Sequence, residues 1–225
     1  MKKQLLALTL LTGLSNNVMA DVIGTYFGAD VWQSGVDGTL SYRGDDLAAS
    51  GYEDTYNYRM YVKVEHPIPL IPNAALSFSN VDVEGSSASE NVNLKTVDFT
   101  LYYEFLDNDI VSLDAGVTWR QLNGTFKDGS TDVSFSGPLP MGYAYGEVGL
   151  PMFPLKAFAM VNAIGITGDV YGDAEIGLAF MLNPGYVLDW SIRAGYRIQQ
   201  LDFKVDDVKA DATIDGVFLG LEGHF

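Results

Sequence analysis

The stretch "VSLDAGVTWRQ" at 111–121 puts Val111, Leu113, Ala115, Val117 and Trp119 on one side and Ser112, Asp114, Gly116, Thr118 and Arg120 on the other. A period of two belongs to a strand, whose successive side chains point to opposite faces. The pattern returns at 55–66, 95–105 and 187–198, and in shorter form at 22–32. Each stretch has the length that a tilted strand needs to cross a bilayer, and no apolar run downstream of residue 20 is long enough for a membrane helix. Weaker alternation at 73–83, 139–150, 156–167, 173–182 and 213–225 brings the expectation to ten strands. A different parsing of the middle gives eight or twelve.

The two faces carry unusual loads. Arg59, Lys63, Arg120, Arg193 and Arg197 share the polar face with Asp98, Glu104, Asp114 and Asp189. The apolar face ends in aromatics: Tyr56, Tyr58, Trp119 and Tyr196 toward one end, and Phe105, Trp190 and Phe225 toward the other. A soluble sandwich or lipocalin-like barrel turns its charged face to water and its apolar face inward. Aromatic girdles at both ends of an apolar face fit the reverse arrangement, a closed antiparallel up-and-down transmembrane barrel with a charged lumen.

Residues 1–20 support export. Lys2 and Lys3 precede an apolar stretch from Leu5 to Leu14, followed by polar residues and then Val18 and Ala20 at a cleavage site. This is the make-up of a secretory signal peptide cut before Asp21, which leaves 21–225 as one barrel domain. Cleavage removes two lysines and no acid, so the mature chain is more acidic than the full-length balance of −16. Nucleic acid is excluded as a partner on that charge. The absence of cysteine leaves packing and backbone pairing to hold an exported chain together.

Connections alternate in length. "PIPLIP", "LDND", "LPMFP" and "NPG" are tight, whereas 33–54, 84–92, 123–137, 167–172 and 204–212 read as polar loops rich in Gly, Ser and Asp. Short turns on one side and long loops on the other place the short side, and both termini, in the periplasm. Asp169, Asp173, Asp206, Asp207 and Asp211 lack the spacing of a calcium loop and read as solvated acids. Loop acids Asp45, Asp46, Glu53, Asp54, Asp128 and Asp132 would meet anionic lipopolysaccharide through divalent cations.

The chain closes with "TIDGVFLGLEGHF", in which Val217, Leu219, Leu221 and Phe225 occupy alternate positions. With its signal peptide, this ending resembles the small outer-membrane β-barrel proteins of Gram-negative bacteria, a family of mostly unassigned function. The resemblance implies an outer-membrane location. It also implies that Val217, Leu219, Leu221 and Phe225 are read by the barrel-assembly machinery during insertion. Gly223 departs from the pattern, since an apolar or aromatic residue is usual there.

Ten strands enclose a lumen little wider than one that side chains fill. Inward charges of both signs and large size favour an ion-paired plug, and thus a structural or surface-interaction role. A narrow porin-like channel using Arg193 and Arg197 is the alternative. Inward Tyr143, Tyr145, Phe158 and Met160 also form an apolar patch suited to a hydrophobic ligand, provided the register there is right. Catalysis is not expected. The two histidines, His66 and His224, fall at the periplasmic end, away from any outward-facing hydrolase site, and no spacing suggests a metal or other cofactor.

Overall fold

The computed structural model describes residues 24–42, 45–48, 55–68, 70–84, 90–108, 110–128, 131–166, 169–205 and 208–225. The expected signal peptide and the acids Glu53, Asp54, Asp206 and Asp207 lie outside the described residues.

Alternating side chains and the turn residues between them produce ten long strands. They are β1 (Gly24–Tyr42), β3 (Thr55–Glu65), β4 (Asn73–Glu84), β5 (Glu90–Asp107), β6 (Val111–Asp128), β7 (Thr131–Gly149), β8 (Leu155–Ile166), β9 (Asp169–Met181), β10 (Asp189–Val205) and β11 (Val208–His224). A short β2 (Asp45–Ala48) folds back on the far end of β1. Each long strand pairs antiparallel with the next, and β11 returns to β1, so the sheet closes into an all-antiparallel up-and-down barrel. The closing ladder runs from Tyr26 opposite His224 to Tyr42 opposite Val208. Beyond it Thr25 and Phe225 exchange both backbone hydrogen bonds, at 2.8 and 2.9 Å. Closure leaves no open edge at that seam.

The expected strands are present, but several are longer than the alternation suggested. Segments 123–137 and 204–212, expected as loops, are mostly the ends of the β6–β7 and β10–β11 hairpins, and β1 continues to Tyr42. Their polarity explains the discrepancy. On β6 the outward residues change from Val117 and Trp119 to Asn123 and Lys127, while the inward residues change from Thr118 and Arg120 to Leu122 and Phe126. β5 inverts between Val97 and Lys95, β10 between Ile198 and Gln200, and β11 between Val217 and Asp215. Below the inversion the barrel is apolar outside and charged inside. Above it the wall is polar outside and apolar inside, the usual order for a protein in water. Tyr196 sits on the boundary and donates its hydroxyl to Asp215 of the neighbouring strand.

At the turn end the connections are built from local side-chain bonds. Asn108 Oδ1 accepts from the backbone N–H groups of Ile110 and Val111, both at 3.0 Å, which is how an Asn stands in for a backbone turn. Asn183 Oδ1 accepts from Trp190 N at 2.7 Å in the β9–β10 turn. Leu70, Met152 and Val187 project from these turns, at 91%, 98% and 82% exposure, so the outward apolar belt continues onto the turns.

Gly223 has a specific reason to be glycine. It faces Phe27 on β1 and Trp190 on β10 in register, and the two rings meet edge to face over it with centroids 5.5 Å apart. A Cβ at Gly223 would lie 2.5 Å from the Phe27 ring. The aromatic absent from this position is supplied by its neighbours, which cover the glycine and restore the apolar surface.

Candidate functional site: the ion-paired lumen

Inward-facing side chains from strands on opposite walls meet in the lumen. In one half, Arg59 of β3 grips Asp30 of β1 through Nε at 3.0 Å and Nη2 at 2.5 Å, and reaches Glu175 of β9 at 2.6 Å. Arg193 of β10 bonds the other Glu175 oxygen at 3.0 Å and lies 3.5 Å from Asp30. Arg193 also donates to the Tyr61 hydroxyl at 2.6 Å, and that hydroxyl donates to Glu222 at 2.6 Å. In the other half, Arg120 of β6 holds Asp98 of β5 with both arms of its guanidinium, at 2.7 and 2.5 Å, and reaches Asp173 of β9 at 2.7 Å. Arg197 of β10 forks onto the same Asp173 at 2.9 and 2.8 Å. Ser79 of β4 adds a contact to Arg197 at 3.4 Å.

In each half two arginines are ion-paired with two acids, and all eight are buried. The balance matters, because an unpaired ion taken out of water costs several kcal/mol, about as much as a good pair recovers. Planar two-point pairing makes arginine, rather than lysine, suited to such positions. The guanidinium planes also stack: Arg197 lies 4.8 Å from the Trp32 ring centre and Arg193 4.4 Å from that of Phe158.

Of the residues expected to form the lumen charge network, Arg59, Asp98, Arg120, Arg193 and Arg197 come together here. Lys63 lies nearer the turn end, 4.5 Å over the Tyr145 ring. Asp114 is buried with the Ser112 hydroxyl at 3.5 Å, and Glu104 sits beside the bulge where β5 loses register between Glu104 and Leu106. Asp189 is not part of the network. It accepts from the backbone of Tyr186 at 2.9 Å and Gly185 at 3.4 Å, bonds that hold the turn.

Three acids at the centre escaped the sequence reading: Asp30, Asp173 and Glu175. Asp173 was expected as a solvated loop acid. It is 1% exposed, because β9 begins at Asp169 and carries Asp173 into the lumen. Asp30 and Glu175 each lie on the inward parity of their strands, which was the available signal.

The expected apolar patch faces inward as its parity required, but it is occupied. Arg193 and Phe218 cover Phe158, and Tyr145 lies 6.4 Å from it. What remains is a cavity of ≈ 60 Å³ lined by Arg59, Lys63, Tyr143, Asn162 and Arg197, among others. That holds a few waters, far below the roughly 300 Å³ of a small-molecule pocket. Above the arginines, Val83, Leu94, Leu122, Phe126 and Ile214 pack into a buried apolar cap.

The residues expected to be read during assembly form an outward row. Val217, Leu219, Leu221 and Phe225 are all exposed on one face of β11 and its continuation. His66 and His224 both lie at the turn end, where His224 stacks on Tyr26 at 4.1 Å.

No protein-family model matches this chain, and no curated protein matches it. Among solved structures, it is similar to the attachment invasion locus protein Ail of Yersinia pestis in complex with the heparin analogue sucrose octasulfate, at 16% identity and a TM-score of 0.40, over 90% of this chain and 99% of that one. It is also similar to Neisserial surface protein A, at 14% identity and 0.39, over 88% and 95% of the two chains. A FadL homologue of Pseudomonas aeruginosa gives 11% and 0.41, over 91% and 90%.

Proposed function

We propose that this chain is an integral outer-membrane β-barrel with an ion-plugged lumen and a structural or surface-interaction role. The carrying observation is the polarity inversion. Below it, outward Val, Leu, Ile and aromatic side chains surround charges that pair with one another across the lumen, an order that suits hydrocarbon outside and not water. On β6 the outward belt spans Val111–Trp119, nine residues, close to what a tilted strand needs to cross. The lumen argues for a plug over a channel: ion pairs join wall to wall, and an apolar cap lies above them. The reading assigns no catalysis to the barrel.

Two measurements on the refolded protein test it. Lipids brominated in the acyl chains should quench Trp119 and Trp190, which lie on the outer surface, and spare Trp32 inside the lumen. Persistence of the full signal from a Trp32→Phe variant in brominated vesicles would exclude a lipid-facing belt. In planar bilayers the protein should be silent. Steady conductance, with ion selectivity that changes in Arg193→Ala/Arg197→Ala, would replace the plug with a narrow channel.

A further inference from the structure

The wall is interrupted beside β7. Pairing between β7 and β8 stops at Gly142 opposite Ala163, although β8 runs on to Ile166 and β7 back to Thr131. Among the described residues, 131–141 has no partner on the β8 side, while its β6 side is paired throughout. Pro138 and Pro140 lie in this segment. Neither has an N–H to give a ladder, so the pairing cannot extend through them.

The interior behind the gap is hydrocarbon and reachable. At this height Leu94 and Ile214, elsewhere around the barrel, are sealed, as is Leu122 across from Gly137, but Leu139 and Ile164 beside the gap are only half-buried. Gly137 is on the inward parity of β7, between Phe135 and Leu139, and a Cβ there would meet nothing within 4 Å. Phe135 and Leu139 therefore flank an unfilled hollow. Beside Ile164, its register partner Tyr171 is buried, with the hydroxyl held by Arg120 at 2.7 Å.

Height decides what can enter. Pro140 is the register partner of Trp119, so the gap begins at the upper aromatic rim of the belt. Beneath it the outward residues Ala144, Ala159 and Ala163 are small and apolar, and continue the belt up to the opening. A chain at the top of the outer leaflet passes from this surface into the hollow without crossing a charged group. We propose that the β7–β8 gap is a lateral binding site for one acyl chain of an outer-leaflet lipid, with the chain end against Gly137, Leu139 and Ile164. The proposal rests on the outer-membrane reading above.

The test uses nanodiscs containing a phosphatidylcholine with a diazirine at the end of one acyl chain, photolysed and mapped by peptide mass. Adducts are expected on the inward residues Leu139 and Ile164 as well as on the outward residues Val217 and Leu219. Gly137→Leu, which fills the hollow, should reduce the inward adducts at least tenfold and leave the outward ones. Met141 and Ile164 are the next register pair above the last bonded one, and the chain has no cysteine of its own. Oxidised Met141→Cys/Ile164→Cys should close the gap and abolish adducts on Leu139, and reductant should restore them. Outward adducts alone in the native chain, or inward adducts unchanged in Gly137→Leu, would overturn the acyl-chain site and leave the membrane reading intact. Absence of adducts on the outward belt would instead remove the membrane reading.

Discussion

Arg120 is 1% exposed and answers two acids on different strands. Replacing it with Ala leaves Asp98 without its guanidinium and Asp173 with Arg197 and the Gln199 amide, so Arg120→Ala should cost about 3–5 kcal/mol. Arg120→Lys keeps the charge but loses the planar fork, and should fall between the two; urea midpoints of the folded barrels rank all three. Parity along β5 and β6 put Arg120 and Asp98 on the same inward face, and the register of the hairpin sets them opposite each other. It could not pair Arg120 with Asp173, or Arg59 with Glu175, since those partners meet across the lumen and depend on the tilt and stagger of the closed barrel. Gly223 is a similar case. Its own residue type breaks the alternation, and the rings that compensate come from β1 and β10.

At the scale of the strand, the inversion explains why the upper thirds of several strands were hidden. Apolar residues on β6 fall at odd positions through Trp119 and at even ones from Leu122, so a single period of two ends at the phase change and the residues beyond it resemble an irregular loop. Physically, the strand does not stop; its surroundings exchange. The β11 face tests this within one element. Leu219 and Asp211 both point outward, eight positions apart and on opposite sides of the inversion. Leu219→Arg should destabilise the folded barrel by about 2–4 kcal/mol, as for a cation at mid-bilayer depth, while Asp211→Arg stays within about 0.5 kcal/mol. Equal costs in lipid unfolding titrations would place both residues in the same medium.

Taken as a whole, the molecule is strongly acidic, with 29 Asp and Glu against 13 Lys and Arg over the full chain. Four of those arginines and four of the acids cancel one another in the lumen, so the excess of acid is carried by the remaining residues. Asp37, Asp82, Glu84, Asp132 and Asp211 are exposed above the belt, at the height of lipid headgroups. In membranes containing lipopolysaccharide, a chelator should therefore lower the thermal midpoint, and in zwitterionic lipid it should not; equal midpoints would dismiss cation bridging. The seam where Thr25 meets Phe225 joins the first strand to the last. Strand pairs made early in synthesis can form hairpins, but none has a lumen to fill until β11 arrives to close against β1, so the buried arginines have no place to go beforehand. The closed wall and the buried ion pairs should therefore form together, in one late cooperative step.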